Sequence, residues 1–268
     1  MTVSPDAALL AKQLLAIAVP IARRAGEMVR DGRAAGRLDV DTKSSATDMV
    51  TQFDTASERL IVDAILESRP DDGFVGEEGT EVTGSSGVRW IIDPIDGTTN
   101  FLYDLPGYNV SIAAAVDGIV VAGAVYLPTA DEMFCAELGG GAQLNGRAIR
   151  CGDTTELSQA LVATGFSYHR ESRLSQAARL GVLIGSVRDI RRLGAAAADL
   201  CHLAAGRVDA YYEQYLNEWD TAAGGLIARE AGAIVGTFNG FAGEPDGLVA
   251  ATPVLYPQLR AALVSISG

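Results

Sequence analysis

Apolar positions recur at helical spacing near the N-terminus, at Leu9, Leu10, Leu14 and Ile17. Ser4-Pro5 ahead of them supplies a cap and a first-turn proline, so a helix is expected over residues 5–36. Pro20 falls inside that pattern and is expected to kink or split it, because proline removes a backbone donor and crowds the preceding turn. A second helix is expected over 55–68 on Leu60, Ile61, Ala64 and Ile65, stopped by Pro70. Short apolar runs bounded by glycine then predict strands at 73–76, 88–92, 108–116, 119–127 and 132–137. Asn145-Gly146 predicts a hairpin turn into a strand at 148–151. Beyond it the pattern alternates: strands at 160–164, 186–190, 208–213, 233–236 and 247–251, and helices at 171–184, 195–205, 219–231 and from Pro253 onward. A run of strands followed by interleaved strands and helices favours layered sheets and helices of α+β class over a barrel or a bundle. Without repeats or low-complexity linkers, 1–268 is expected to act as one unit, with subdomains 1–150 and 151–268 meeting near residue 150.

The 268 residues are 48% hydrophobic and 21% charged, which argues against disorder and against a fibrous chain. Acids outnumber bases 34 to 21, a formal charge of −13, and the pI is near 4.6. Phosphate backbones are gripped by clustered Lys and Arg, so nucleic acid and anionic membranes are not expected partners. Lys12 and Lys43 are the only lysines; the other 19 basic residues are arginines. Three cysteines (Cys135, Cys151, Cys201) without a CxxC are expected to be free thiols in a reducing cytoplasm. The apolar run Gln13–Ala22 follows an acid, Asp6, and precedes Arg23-Arg24, the wrong order for a secretory signal. No run approaches the ~18 consecutive apolar residues of a membrane span.

Polar chemistry concentrates between 76 and 101. Trp90-Ile91-Ile92 is an apolar strand, so Asp93 and Asp96 are expected to leave its end together, where α/β-type folds place ligands. Pro94 fixes the backbone between them, and Gly97 permits a sharp turn. Thr98-Thr99 would begin a short helix whose free N–H groups favour an anion. Two aspartates three apart repel each other unless they share a cation, and oxygen-only ligands favour Mg²⁺ or Mn²⁺ over Zn²⁺. An isolated Asp-x-x-Asp more often caps a turn. Cation-holding acids beside anion-holding N–H groups describe a phosphoryl site.

The whole string from Trp90 to Phe101 resembles the metal-binding signature of the inositol monophosphatase family, the Mg²⁺-dependent, Li⁺-sensitive phosphomonoesterases. Asp41-Thr42-Lys43-Ser44 with Asp48 to Asp54, Gly76-Glu77-Glu78-Gly79, and Trp219-Asp220-Thr221-Ala222-Ala223-Gly224 are similar to its other motifs, in family order. The resemblance implies a layered α/β/α/β/α sandwich, a homodimer and two or three Mg²⁺ ions. It implies a first metal on Glu77, Asp93 and the Ile95 carbonyl, and a second on Asp93, Asp96 and Asp220. A third, weaker ion would lie near Glu77, approached by Lys43. Thr98, backed by Asp54, would orient and deprotonate the attacking water, with Glu77 contributing on the metal side. The N–H groups of Gly97 and Thr98 would bind phosphate, while Glu213 accepts polyol hydroxyls and Gly194-Ala195-Ala196 lines the same pocket. One metal would lower the pKa of water and the other would stabilise the leaving oxygen. Both tryptophans stand beside motif aspartates and are expected to wall off the site.

The implied substrate is a small phosphorylated polyol, foremost myo-inositol 1-phosphate. Histidinol phosphate, fructose 1,6-bisphosphate and glycerol 2-phosphate are alternatives, because the stretch Tyr215 to Glu218 facing the substrate is variable. A binding or regulatory protein that keeps the fold and metals is the alternative of another class. Ser167 and His169 lack the orienting acid and nucleophile elbow of a hydrolytic triad. Cys201-His202 lacks two further soft ligands, and His202 is expected to be packed or partly buried. Gly139-Gly140-Gly141 lacks a Walker lysine. Asp71-Asp72 reads as a solvated turn. Arg188, Arg191 and Arg192 are equally readable as substrate contacts or as surface and subunit contacts.

Overall fold

Ser4 caps the first helix, α1 (Pro5–Ala34), its Oγ accepting the Ala7 N–H at 3.2 Å, and Pro5 occupies the first turn. Contrary to expectation, α1 is not split: it runs through Pro20 as one 30-residue helix. Pro20 and Ala16 are exposed, so the carbonyl that proline leaves without its usual donor faces water. Leu14, Ala18, Ala22 and Ala25 hold the opposite face in the core. By length and mean hydropathy (1.4) α1 resembles a membrane span, yet this buried stripe is the core face of an amphipathic helix. The computed structural model describes residues 4–36, 40–42, 49–240 and 244–266.

Beyond α1, a small antiparallel pair, β1 (Val40–Thr42) and β2 (Met49–Thr51), leads into α2 (Gln52–Leu66). Then come β3 (Gly73–Gly76), β4 (Glu81–Val82), β5 (Val88–Asp96), the short α3 (Thr98–Leu102), β6 (Asn109–Val116) and β7 (Ile119–Leu127). After these lie β8 (Glu132–Glu137), β9 (Gly141–Leu144) and β10 (Arg147–Ile149). The rest is β11 (Leu161–Thr164), α4 (Arg170–Leu183), β12 (Asp189–Arg191), α5 (Ala196–Ala204), β13 (Ala210–Glu213), α6 (Glu218–Glu230), β14 (Ile234–Phe238), β15 (Gly247–Ala251) and α7 (Leu255–Ile266). An eight-stranded sheet has the order β10-β9-β8-β7-β6-β5-β3-β4, antiparallel except for β3–β5. A five-stranded sheet has the order β12-β11-β13-β15-β14, with β11 parallel to both its neighbours. Asn145 and Gly146 both take positive φ (48° and 75°) in the β9–β10 turn, as the hairpin signal required.

Strand alternation builds the layers. Trp90, Ile92, Val110 and Ile112 face α1 and α2. Their neighbours Ile91 and Ala113 face Ala197 and Cys201 of α5 and Ala223 and Leu226 of α6. The same helices turn Leu200, Leu203 and Ala228 toward Ala163, Tyr211 and Ala250 of the second sheet. Val162, Tyr212 and Val249 face the far layer, with Leu183 of α4 and Leu255, Leu259 and Leu263 of α7. The order is α/β/α/β/α. Close approach in the middle layer requires Gly123, where an added Cβ would lie 3.0 Å from Ala223 Cα.

One departure positions the site. β5 does not stop at Ile92 but runs to Asp96, and its pairing slips between Asp93↔Ser111 and Asp96↔Asn109. Three residue steps on β5 match two on β6, which is a one-residue bulge. In a regular strand, residues three apart point to opposite faces; the bulge puts both aspartates on one.

Candidate metal and phosphate site

Carboxylate oxygens of Asp93, Asp96 and Asp220 lie within 4.8 Å of one another. Asp93 and Asp96 come from the bulged end of β5. Asp220 stands in the first turn of α6, where its Oδ2 accepts the Asn217 N–H in a capping box, and where the helix dipole favours an acid. Asp96 accepts from Asn109 Nδ2 (2.9 Å) and from the N–H groups of Ala196 (3.2 Å) and Ala197 (2.8 Å) at the start of α5. Glu77 follows β3, the parallel neighbour of β5, and its N–H donates to Ile92 O at 3.2 Å. The Ile95 N–H is turned to Asp93 Oδ1 at 3.1 Å, and the Ile95 carbonyl meets Thr98 Oγ1 at 3.0 Å.

These acids repel their own ionised forms. Burial, then Glu77, Asp96 and Asp220, push the Asp93 carboxyl well above its ordinary range. Burial and Asp96 do the same to Asp220. Burial raises Asp96 to about 6 although Asn109 and the α5 N–H groups pull the other way. The donor set is carboxylate oxygen alone, clustered and buried, which fits a hard divalent cation.

Thr98 opens α3 behind Gly97, whose φ of 87° is the left-handed conformation. A Cβ there would lie 3.1 Å from Ala195 Cβ, so glycine serves both conformation and space. Thr98 Oγ1 is 3.4 Å from Asp54 Oδ1, and Asp54 Oδ2 accepts the Thr51 N–H (2.8 Å) and hydroxyl (2.6 Å). At the other end of α3, Arg33 donates to Phe101 O (2.9 Å) and Leu102 O (3.3 Å). Lys43 lies outside the described residues, as do Ser44 and Asp48.

A cavity of about 500 Å³ joins the acids to a second wall, which includes Gly194, Ala195, Ala196 and Glu213. Glu213 ends β13; burial raises its carboxyl to about 7 while the Tyr211 hydroxyl, at 2.8 Å, holds it down. A Cβ on Gly165 would lie 2.0 Å from the Glu213 carboxylate, so a glycine makes room for it. Arg192 reaches this cavity. Arg188 instead bonds Gln159 and Arg191 pairs with Asp189.

Several expectations are corrected. Trp219 lines the cavity, but Trp90 is fully buried on the α1–α2 side and donates Nε1 to Asp72 Oδ2 at 2.9 Å. Asp72 is accordingly not solvated: it is 2% exposed and accepts from Arg69 and Ser86 as well. The N–H groups of Gly139 and Gly141 are taken by the Glu230 carboxylate, each at 2.9 Å, so that loop is occupied from within the chain. Ser167 and His169 both line the cavity, but Ser167 Oγ accepts the backbone N–H of His169 in a local turn. Two expectations agree with the structure: His202 is partly buried, edge-on to Phe134, and all three cysteines are free.

Sequence reading missed the supports. Glu58, 4% exposed, accepts from Glu78 N, Thr80 N and Thr80 Oγ1 and so fixes the turn carrying Glu77. Ser57 donates to Pro94 O at 3.0 Å. Asp199 is buried near Glu213, with Oδ1 lacking a hydrogen-bond partner among the described residues. A signal existed for the first two: Asp54, Ser57 and Glu58 share helical spacing with Ile61 and Ile65, placing polar residues on the buried face of α2.

The sequence profile of the inositol monophosphatase family matches residues 10–267. Inositol-1-monophosphatase SuhB of Mycobacterium tuberculosis (strain H37Rv) is 46% identical over 275 residues, spanning 96% of this chain and 95% of that protein. Nus factor SuhB of Pasteurella multocida is 42% identical over 252 residues, covering 92% of this chain and 94% of its own. The crystal structure of extragenic suppressor protein suhB from Bartonella henselae matches with a TM-score of 0.86 at 38% identity, covering 94% of this chain and 98% of that one.

Proposed function

The chain belongs to the inositol monophosphatase family, and from that premise we propose that it is a Mg²⁺-dependent phosphatase of small polyol monophosphates, with myo-inositol 1-phosphate as its substrate. The observation that carries this reading is one cavity with two unlike ends: clustered acids at one, and Glu213 at the other. A phosphate needs the first end once a cation is there, and a hydroxyl-rich leaving group suits the second.

Glu77, Asp93 and the Ile95 carbonyl would hold one cation, and Asp93, Asp96 and Asp220 another. A bound divalent cation supplies charge neutralisation for the phosphate and lowers the pKa of water. Thr98 Oγ1 receives a proton from the attacking water as its own passes toward Asp54 Oδ1, while Thr51 holds the other carboxylate oxygen, Oδ2, in place. The N–H groups of Gly97 and Thr98 bind phosphate oxygens at the start of α3, and Arg33 anchors that segment from behind. Glu213 accepts hydroxyl hydrogen bonds from the leaving group, its ionised form predominating above pH about 7.

The test is phosphate release measured as kcat/KM across inositol 1-phosphate, histidinol phosphate, fructose 1,6-bisphosphate and glycerol 2-phosphate, with and without Mg²⁺. Preference for inositol 1-phosphate, dependence on Mg²⁺ and inhibition by Li⁺ are expected. No activity on any of them would overturn the reading. The Nus-factor name of the Pasteurella relative favours a second role as a binding protein, which Asp93→Asn would leave intact while ending hydrolysis.

A further inference from the structure

The buried residues of α4 are Gln176, Arg179 and Leu183, one helix face on which two of three side chains are polar. Gln176 Oε1 accepts the Ser167 N–H at 2.8 Å. Arg179, 1% exposed, donates through Nη1 to Gln214 Oε1, lies over the Phe238 ring at 5.2 Å and pairs with Glu244 at 3.7 Å. Gln214 in turn donates Nε2 to Pro245 O (2.9 Å) and Glu244 Oε2 (3.2 Å), so both ends of its amide are engaged. Ser167 and Gln214 belong to the two segments that wall the substrate end of the cavity, beside His169 and Glu213. A void of about 10 Å³, room for one water, touches Arg179 and Glu213 together. Arg179 thus reaches the Glu213 wall through Gln214, the next residue along the chain, and through this shared void.

We propose that Gln176 and Arg179 of α4 are positioning residues that set the orientation of the Glu213 wall, and with it the preference for polyol phosphates over phosphomonoesters without hydroxyls. This rests on the polyol-phosphatase reading above. A buried charged pair is commonly no more stabilising than apolar residues of the same volume, so bulk stability does not account for this network. What it supplies is direction: the amide oxygen of Gln214 is held by Arg179 and its amide nitrogen by Glu244 and Pro245, and the chain on either side of it inherits that geometry.

The experiment compares kcat/KM for myo-inositol 1-phosphate and for phenyl phosphate, with Mg²⁺, in Gln176→Met and in Arg179→Met combined with Glu244→Gln, which removes the ion pair as a unit. Loss of a hydrogen bond to a charged acceptor predicts a fall of about tenfold or more on inositol 1-phosphate, expressed in KM. Phenyl phosphate is expected to change by about twofold or less, since it makes no hydroxyl contact. In a Glu213→Gln background the same changes are expected to add nothing further. A parallel fall on both substrates, an unchanged kcat/KM for inositol 1-phosphate, or additive loss with Glu213→Gln would overturn the proposal. Gln176→Met leaves all charges in place and so decides the matter should the double variant fail to fold. A wild-type enzyme without preference for inositol 1-phosphate would instead overturn the polyol reading, and this one with it.

Discussion

Asp72 and Asp93 are both buried, 2% and 1% exposed, and both are tied to β5, Asp72 through Trp90 and Asp93 directly. Their chemistry is opposite. Burial works to raise the Asp72 carboxyl, but hydrogen bonds from Arg69, Ser86 and Trp90 outweigh it and hold the acid below its ordinary range. Asp93 meets burial and then other acids, Glu77, Asp96 and Asp220, all of which raise it. An interior carboxylate with its own cation and donors is a strut. One surrounded by further carboxylates is a cluster that could hold a metal ion. Burial alone does not separate the two; the identity of the neighbours does.

The contrast is broken most sharply at Asp93. Asp93→Asn is expected to cut phosphate release about a thousandfold or more while raising the melting temperature of the metal-free protein, since one repelling charge is gone. Next is the pH dependence of the metal-free protein, read from Asp96. Its carboxyl titrates near 6 when folded, against 3.8 as the ordinary value. With rising pH the unfolded chain loses this proton first, so stability is full below 3.8, declines up to about 6, and stays low above. Thermal melts with a chelator should therefore show lower stability at pH 8 than at pH 4, and Mg²⁺ should restore several degrees at pH 8.

Thr98→Ala is expected to lower kcat about a hundredfold, with KM for inositol 1-phosphate little changed. That outcome would separate the proposed proton handling from the proposed cation ligands. Smallest is Asp72→Asn, expected to cost about 2 kcal/mol in denaturant melts with kcat/KM unchanged per folded molecule. The sign of its pH dependence is reversed: Asp72 stabilises at neutral pH, and that contribution is lost as pH falls through its lowered value. Impaired turnover in folded Asp72→Asn would dissolve the distinction between strut and site.

Much of the molecule was legible along the chain. Strands 119–127, 132–137 and 247–251 coincide with their apolar runs, because a glycine- or turn-bounded run of β-forming residues is a local signal. The four motifs marked where the acids would gather. The supports were legible only in part: helical spacing puts Glu58 on the buried face of α2, but no spacing rule links Glu58, Asn109, Gln176 or Arg179 to the groups they bond.

The sequence by itself determined the fold class, the carboxylates and threonine of the site, and the glycine that turns the chain between them. The class, the Asp93–Asp96 pair and the turn follow from period, turn chemistry and residue type, which act over a few neighbours; Glu77 and Asp220 were joined to them only by the family resemblance. Tertiary structure decided which carboxylates share one face, since the β5 bulge exists only against β6. It decided that Pro20 does not split α1, since the Ala16 carbonyl it leaves without a donor lies on the exposed face only because Leu14 and Ala18 face the core. It also decided that Asp72 pairs with a cation of the chain while Asp93 stands among acids that could hold a metal ion, because a buried charge is defined by what surrounds it, and those surroundings come from elements the local pattern does not connect.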